Sequence, residues 1–160
     1  IGDSLLDYFS EDKINSSIST GVFENIRDKT FTISEIESND FNTYERVQFI
    51  FKKSDKKYKI YGIHGVFWIR NDMNKCMRKL NEISSDINST INFVENYEFE
   101  NLDLGNNLGV YSSEVYKLKD GYISIHCYNW TSQTETEKNW VDNLRVNIKT
   151  NEYEEFLNKD

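Results

Sequence analysis

The stretch GYISIHCYNW, residues 121–130, alternates apolar and polar side chains, as a β-strand does. Successive side chains of a strand point to opposite faces of its sheet. One face is apolar: Ile123, Ile125, Cys127. The other is more polar: Tyr122, Ser124, His126, Tyr128. His126 and Cys127 therefore point apart, which excludes a local Cys–His dyad, because such a pair needs its reacting atoms within about 3 Å.

The residues before this strand, 112–119, read as its hairpin partner. Asp120-Gly121 is a strong signal for a two-residue turn, since a type I′ turn requires positive φ at both central positions. We therefore predict an antiparallel pair of strands closed by a type I′ turn.

The clearest helix is RNDMNKCMRKLNEISSDINSTI, residues 70–91, with Asn71 or Asp72 as its N-cap. Its apolar residues recur at the spacing of a single helix face: Met73, Cys76, Met77, Leu80, Ile83, Ile87, Ile91. Such a stripe packs on a sheet. It therefore brings Cys76 toward the apolar face that carries Cys127.

The cysteines have three interpretations: a structural disulfide, two buried free thiols, or a redox pair. Redox pairs usually lie close in sequence, as C-x-x-C at the start of a helix. Cys76 and Cys127 are far apart in the chain, so we favour a disulfide that joins the helix to the sheet.

Further strands are predicted where apolar residues alternate or run together, at 30–37, 44–53, 58–69 and 139–150. Two short helical turns open the chain, with Ser10 as an N-cap, and residues 151–159 form a closing helix capped by Thr150 or Asn151. Two segments are predicted to be loops: 96–110, rich in glycine and asparagine, and the polar 131–138.

This order predicts an α+β fold, because one apolar-striped helix must cover a sheet of sequential antiparallel strands. We expect two three-stranded meanders separated by one long amphipathic helix packed on the sheet, with short helices at both termini. Whether the meanders form one sheet or two is left open. The 160 residues favour a single domain, 1–160.

The chain is acidic, with a net charge of −8. This argues against nucleic acid and against anionic membrane surfaces as partners, since both attract basic proteins. No segment approaches the roughly 20 apolar residues of a membrane span. The chain begins at Ile1, and it contains two cysteines. We therefore expect an exported protein, periplasmic or secreted after removal of a signal peptide.

The two histidines, His64 and His126, both lie on predicted strands. A zinc site needs three or four ligands, and no further histidine or spare cysteine is present, so we predict neither metal nor cofactor. Structural histidines are the simplest interpretation. The sharper hypothesis is a polar-aromatic patch that contacts a ligand, formed by His64, His126, Tyr128 and Trp130.

Three stretches carry a resemblance: NKCMRKLNEISSDI, ISIHCYNW and DNLRVNIKTNEYEEFLNK. They resemble small exported proteins of unknown function from marine bacteria with AT-rich genomes, which have one cysteine on a Lys/Glu-rich helix and a second in a strand. The resemblance runs from about residue 44 onward and implies a cleaved signal peptide. It supplies no site residues. The opening IGDSLLDYF is similar to the first helix of small envelope lipoprotein domains.

No G-x-S-x-G elbow or comparable catalytic spacing occurs in the sequence. We therefore favour a non-enzymatic binding or envelope-associated module, whose partner is a protein or a small molecule. The alternative is a small hydrolase or transferase that uses scattered carboxylates with His64 or His126, so the question of enzymatic activity stays open.

Overall fold

The computed structural model describes residues 1–19, 30–36, 41 and 43–158. Within them, a 3-10 turn at Leu5–Asp7 precedes the first of the α-helices. The helices are α1 Glu11–Ser16, α2 Met73–Thr90, α3 Ser132–Lys138 and α4 Asn151–Leu157. The strands are β1 Phe31–Ile36, β2 Arg46–Lys52, β3 Gly62–Trp68, β4 Glu95–Asp103, β5 Gly109–Lys117, β6 Gly121–Trp130 and β7 Asn143–Thr150.

All seven strands belong to one antiparallel sheet in the order β1-β2-β3-β7-β6-β5-β4. The predicted α+β class is therefore confirmed, and the prediction of two three-stranded meanders is wrong. β7 pairs along one edge with β3 and along the other with β6, so it joins the two halves of the chain. Alternation in a sequence specifies which face a side chain occupies, but not which strand lies beside it.

Two segments that the sequence predicts as loops contain regular structure, although residues 104–108 of the first are a loop as predicted. β4 occupies most of 96–110, at the edge of the sheet, and all nine of its residues are exposed. It therefore lacks the apolar alternation of a half-buried strand, and its acidic side chains are typical of an edge that must not pair with another chain. Residues 132–138 form α3, a polar helix whose N-cap Thr131 accepts a hydrogen bond from the Thr134 N–H.

The hairpin between β5 and β6 is present, but its turn differs from the prediction. The Leu118 N–H donates to the Gly121 carbonyl, so Lys119 and Asp120 are the central residues, and neither has positive φ. The turn is therefore not type I′ at Asp120-Gly121. Gly121 is needed for another reason: a Cβ there would lie 2.1 Å from the Lys149 carbonyl oxygen on β7.

One face of the sheet, which we call the helix face, is covered by helices. The apolar stripe of α2 buries Cys76, Leu80 and Ile87 against the sheet. The strand residues that it contacts are Tyr116, Ile123, Ile125, Cys127 and Leu144. The Sγ atoms of Cys76 and Cys127 are joined at 1.99 Å. Asp72 is the N-cap of α2, and its side chain accepts from the Lys75 N–H. Near the N-terminus, Leu5 and Ile14 bury against β2.

The opposite face, which we call the cleft face, is covered by helix only at one end, as far as the described residues show. There α4 packs Tyr153 and Phe156 on Phe31, Ile33 and Ile50. The start of α4 agrees with the sequence, since it follows the cap Thr150, whereas its end at Leu157 comes before the predicted end at residue 159, which lies outside the described residues. Among the residues described, no helix is long and apolar enough to cross a membrane.

Candidate functional site

The centre of the cleft face carries two rows of side chains that run across the strands. Residues paired across antiparallel strands point to the same face. One row, in strand order from β2, is Gln48, His64, Asn147, Ser124. The row beside it is Arg46, Val66, Arg145, His126. β7 therefore places Asn147 and Arg145 between the two histidine-bearing strands.

These rows form the floor of a cleft of about 920 Å³. The residues lining it are Ile33, Arg46, Gln48, His64, Trp68, His126, Tyr128, Trp130, Asn139, Trp140, Val141, Asn143, Arg145, Asn147, Lys149, Tyr153 and Leu157. The structure thus brings together all four residues that the sequence suggests as a ligand patch: His64, His126, Tyr128 and Trp130.

One wall of the cleft is aromatic. On β6 the rings of Tyr128 and Trp130 are stacked, with centroids 5.2 Å apart and planes 5° from parallel, and His126 stacks on Tyr128 at 5.7 Å. Trp140 packs on Trp130 at a centroid distance of 4.6 Å. Trp68 also lines the cleft, so all three tryptophans of the chain do.

A buried carboxylate fixes this wall. The side chain of Asp142, a residue only 2% exposed, accepts hydrogen bonds from the backbone N–H of Trp130 at 2.8 Å and from the backbone N–H of Asn71 at 3.3 Å. Its carbonyl oxygen accepts from the Ile69 N–H at 2.9 Å. Asp142 therefore ties together the end of β6, the segment after β3 and the start of β7.

Six polar atoms of cleft residues are buried and lack a hydrogen-bond partner within the described part of the chain. They are His64 Nε2, His126 Nδ1, Trp130 Nε1, Asn143 Oδ1, Arg145 Nε and Asn147 Oδ1. Leaving one such atom unpaired costs about 1–3 kcal/mol, so proteins rarely gather several in one place. The cleft therefore concentrates unused hydrogen-bonding capacity.

Both histidines are neutral at pH 7. Burial, and then the positive charges of Arg145 and Lys149, lower the pKa of His64 to about 3. Burial is also the main cause for His126, whose pKa falls to about 4, with Lys149 and Arg145 contributing. Neutral rings can accept or donate a hydrogen bond, but they do not supply a proton as a strong acid.

His126 makes one hydrogen bond within the floor of the cleft. Its Nε2 lies 2.9 Å from Ser124 Oγ, which also accepts from Asn147 Nδ2 at 3.1 Å. The tautomer of His126 decides whether Nε2 or the Ser124 hydroxyl is the donor of this bond. Ser124 is 1% exposed, so this Ser–His contact is a structural hydrogen bond rather than an accessible nucleophile.

The cations of the cleft differ in how they are neutralised. Arg46 is paired with Glu35 at 2.8 Å, and Lys149 is paired with Glu154. Arg145 has no carboxylate partner among residues 1–19, 30–36, 41 and 43–158. The cleft of this acidic chain therefore contains one uncompensated, half-buried guanidinium.

The lining contains no aspartate or glutamate, and no cluster of three or more His, Cys, Asp or Glu residues suited to a metal occurs in the described ranges. Cys127 faces the helix side, away from the cleft. The arrangement offers donors, acceptors, a positive charge and aromatic surface, which suit binding.

Four residues that line the cleft are not predicted as site residues from the sequence: Asn143, Arg145, Asn147 and Trp140. Arg145 and Asn147 look like the outward residues of a half-exposed strand, yet Asn147 is buried. Pairing the polar residues of β7 with His126 would have been the signal, but that requires the strand order. The chain matches no family model, no curated protein and no solved structure.

Proposed function

We propose that this chain is a non-enzymatic binding module that holds a small molecule in the cleft. The observation that carries the proposal is the set of six buried, unpaired polar atoms around a space of about 920 Å³. Such a volume is typical of sites for small molecules, which combine aromatic walls with a few polar groups. A ligand that enters the cleft and, through side-chain adjustments, reaches these covered groups offsets the cost of leaving them unpaired.

The alternative, a hydrolase or transferase using carboxylates with His64 or His126, has less support. A general acid or base needs a pKa near the working pH, whereas His64 and His126 have pKa values of about 3 and 4. Within the part of the chain that the structure describes, the cleft lining includes no carboxylate to complete a catalytic pair.

We place the module in an exported, periplasmic or envelope-associated setting. The support is the Cys76–Cys127 disulfide, because disulfides persist mainly in oxidising compartments.

The test is a binding screen on the wild-type chain. The probes are sugars, amino acids, amines and carboxylic acids, the last two with and without an aromatic ring. The readouts are the thermal unfolding midpoint and tryptophan fluorescence, which reports on the cleft because Trp68, Trp130 and Trp140 all line it. We expect at least one class to raise the midpoint and change the fluorescence.

Two variants with similar exposure separate cleft binding from surface binding. Trp140 lines the cleft and is 41% exposed, and Tyr97 on β4 lies outside it and is 45% exposed. Trp140→Ala should weaken the response, and Tyr97→Ala should leave it unchanged. The proposal fails if no probe class produces a response, or if the response is the same in Trp140→Ala as in wild type.

A further inference from the structure

The geometry points to a small aromatic carboxylate as the ligand class, with its carboxylate on the guanidinium of Arg145 and its ring against the wall of Tyr128, Trp130 and Trp140. This inference rests on the proposed binding function and specifies the charge and shape of the ligand. It is supported by the charge of the cleft, by its hydrogen-bonding groups, by its shape and by the position of the acidic residues.

The positive charge of Arg145 favours an anionic ligand. Arg46 and Lys149 are already neutralised by Glu35 and Glu154, whereas Arg145 has no such partner within the described ranges. A half-buried cation in a low-dielectric cleft favours an anion more strongly than an exposed one does. One unpaired guanidinium matches one negative charge, which favours a monoanion over a doubly charged phosphate.

The hydrogen-bonding geometry of Arg145 favours a carboxylate. The guanidinium is a planar fork that binds a carboxylate through two parallel N–H···O bonds. His126 lies directly opposite Arg145 on the neighbouring strand. Arg145 Nε is covered in the structure, so the accessible remainder of the guanidinium receives the carboxylate.

The shape of the aromatic wall favours a ligand with one or two rings. Tyr128 and Trp130 follow His126 at every second position of β6, on the same face. At about 3.3 Å per residue, the wall extends from about 7 to about 13 Å beyond His126. A carboxylate at Arg145 therefore leaves an attached one- or two-ring system lying along the aromatic wall, where stacking stabilises it.

The acidic residues of the chain matter through their position relative to the cleft. The chain has a net charge of −8, which repels anions from most of its surface. Among the described residues, the cleft lining contains no aspartate or glutamate, and the nearby Glu35 and Glu154 are occupied by Arg46 and Lys149. An anion that enters the cleft therefore meets an unpaired cation in a lining without carboxylates of its own.

The experiment compares three probes that share a naphthalene ring and carry a negative, a neutral or a positive substituent: naphthalene-2-carboxylate, naphthalene-2-carboxamide and 2-(aminomethyl)naphthalene. Titration calorimetry on the wild-type chain should show the carboxylate binding at least tenfold more tightly than the amide, with little or no binding of the amine. The carboxylate affinity should also fall as salt is added.

Three variants then locate the charge. Arg145→Met should lower carboxylate affinity about tenfold to hundredfold, as expected when a charged hydrogen-bonded contact is removed. Arg145→Lys, which keeps the charge without the fork, should lose less. The matched control Arg78→Met removes the same charge from an exposed position of α2, outside the cleft, and should change the affinity less than threefold.

The outcomes separate this inference from the broader proposal. If the amide or the amine binds as tightly as the carboxylate, or if Arg145→Met binds the carboxylate like wild type, the assignment of an anionic ligand is wrong and the binding module stands. If none of the three probes binds, this inference falls, and the broader proposal is then decided by its own screen. Should Arg145→Met fail to fold, the comparison of probes on the wild-type chain and on Arg145→Lys still decides the matter.

Discussion

His126 and Arg145 lie directly opposite each other on β6 and β7, and both side chains face the cleft. A histidine beside an uncompensated guanidinium is held in its neutral form, because the positive charge adds to the effect of burial. This relationship places the hydrogen-bonding groups of the cleft floor beside a guanidinium that has no carboxylate partner among the described residues. It also makes the stability of the fold depend on pH.

We expect the free energy of unfolding to decrease as the pH is lowered from about 6.5 toward 4. Both histidines have pKa values depressed from 6.5, to about 3 for His64 and about 4 for His126. In this window the unfolded chain binds protons that the folded chain does not. Each histidine therefore removes up to ~1.4 kcal/mol of stability per pH unit. Denaturant unfolding at pH 7.5, 6 and 5 measures this loss.

The control for the pH effect is His64→Gln/His126→Gln, which lacks both titrating groups. Its stability should change less between pH 7.5 and 5 than that of the wild-type chain. Equal slopes in the two proteins would show that the histidines are not the cause.

Loss of the disulfide should destabilise the chain by about 4 kcal/mol. Cys76 and Cys127 are 51 positions apart, and the chain-entropy model gives this value for a loop of that length. Denaturant unfolding of Cys76→Ala/Cys127→Ala, compared with wild type, measures the change. Adding a reductant should shift the wild-type transition and leave that of the variant in place. A wild-type transition that ignores reductant under unfolding conditions would contradict the bond.

Gly65→Ala should destabilise the fold by about 1–3 kcal/mol. A Cβ at Gly65 would lie 2.8 Å from the ring of Tyr44, which packs across β3 on the helix face. The double variant with Tyr44→Ala is the check, because the alanine methyl then has space. The cost of Gly65→Ala should be smaller in that background. An unchanged cost would place the strain elsewhere.

Asp142→Asn should cost about 1–3 kcal/mol and alter tryptophan emission. The two carboxylate oxygens of Asp142 accept from the backbone N–H groups of Trp130 and Asn71. An asparagine has one acceptor oxygen, so one of these buried N–H groups loses its partner. Thermal unfolding and fluorescence measure the two effects. Asp120→Asn, in the exposed turn before β6, should show neither, and a similar change in both variants would refute a specific role for Asp142.

Parity and helical spacing account for what the sequence predicts well. The alternation of 121–130 places Cys127 and His126 on opposite faces, and the stripe of α2 brings Cys76 to Cys127, as the structure shows. The same alternation groups His126, Tyr128 and Trp130, since residues two apart share a face. These relationships are local, so one strand or one helix is enough to reveal them.

What the sequence does not reveal depends on neighbours far away in the chain. His64 meets His126 across the cleft because β7 lies between β3 and β6, and no local pattern encodes that order. Arg145 has the same alternation whether its face meets water or a polar cleft. β4 and α3 are missed for a related reason, since an exposed edge strand and a fully polar helix carry no apolar periodicity.

The position of β7 has a consequence for the order of folding. β7 is the last of the seven described strands along the sequence, yet it lies inside the sheet, between β3 and β6. Until residues 143–150 are in place, β3 and β6 each have an edge without its neighbour from the described sheet, and the rows of the cleft floor are interrupted. Closing the long loop between β3 and β7 costs conformational entropy before the contacts that offset it form, which is typical of slowly folding, high-contact-order proteins. The binding-competent state is therefore reached only once β7 has inserted between β3 and β6.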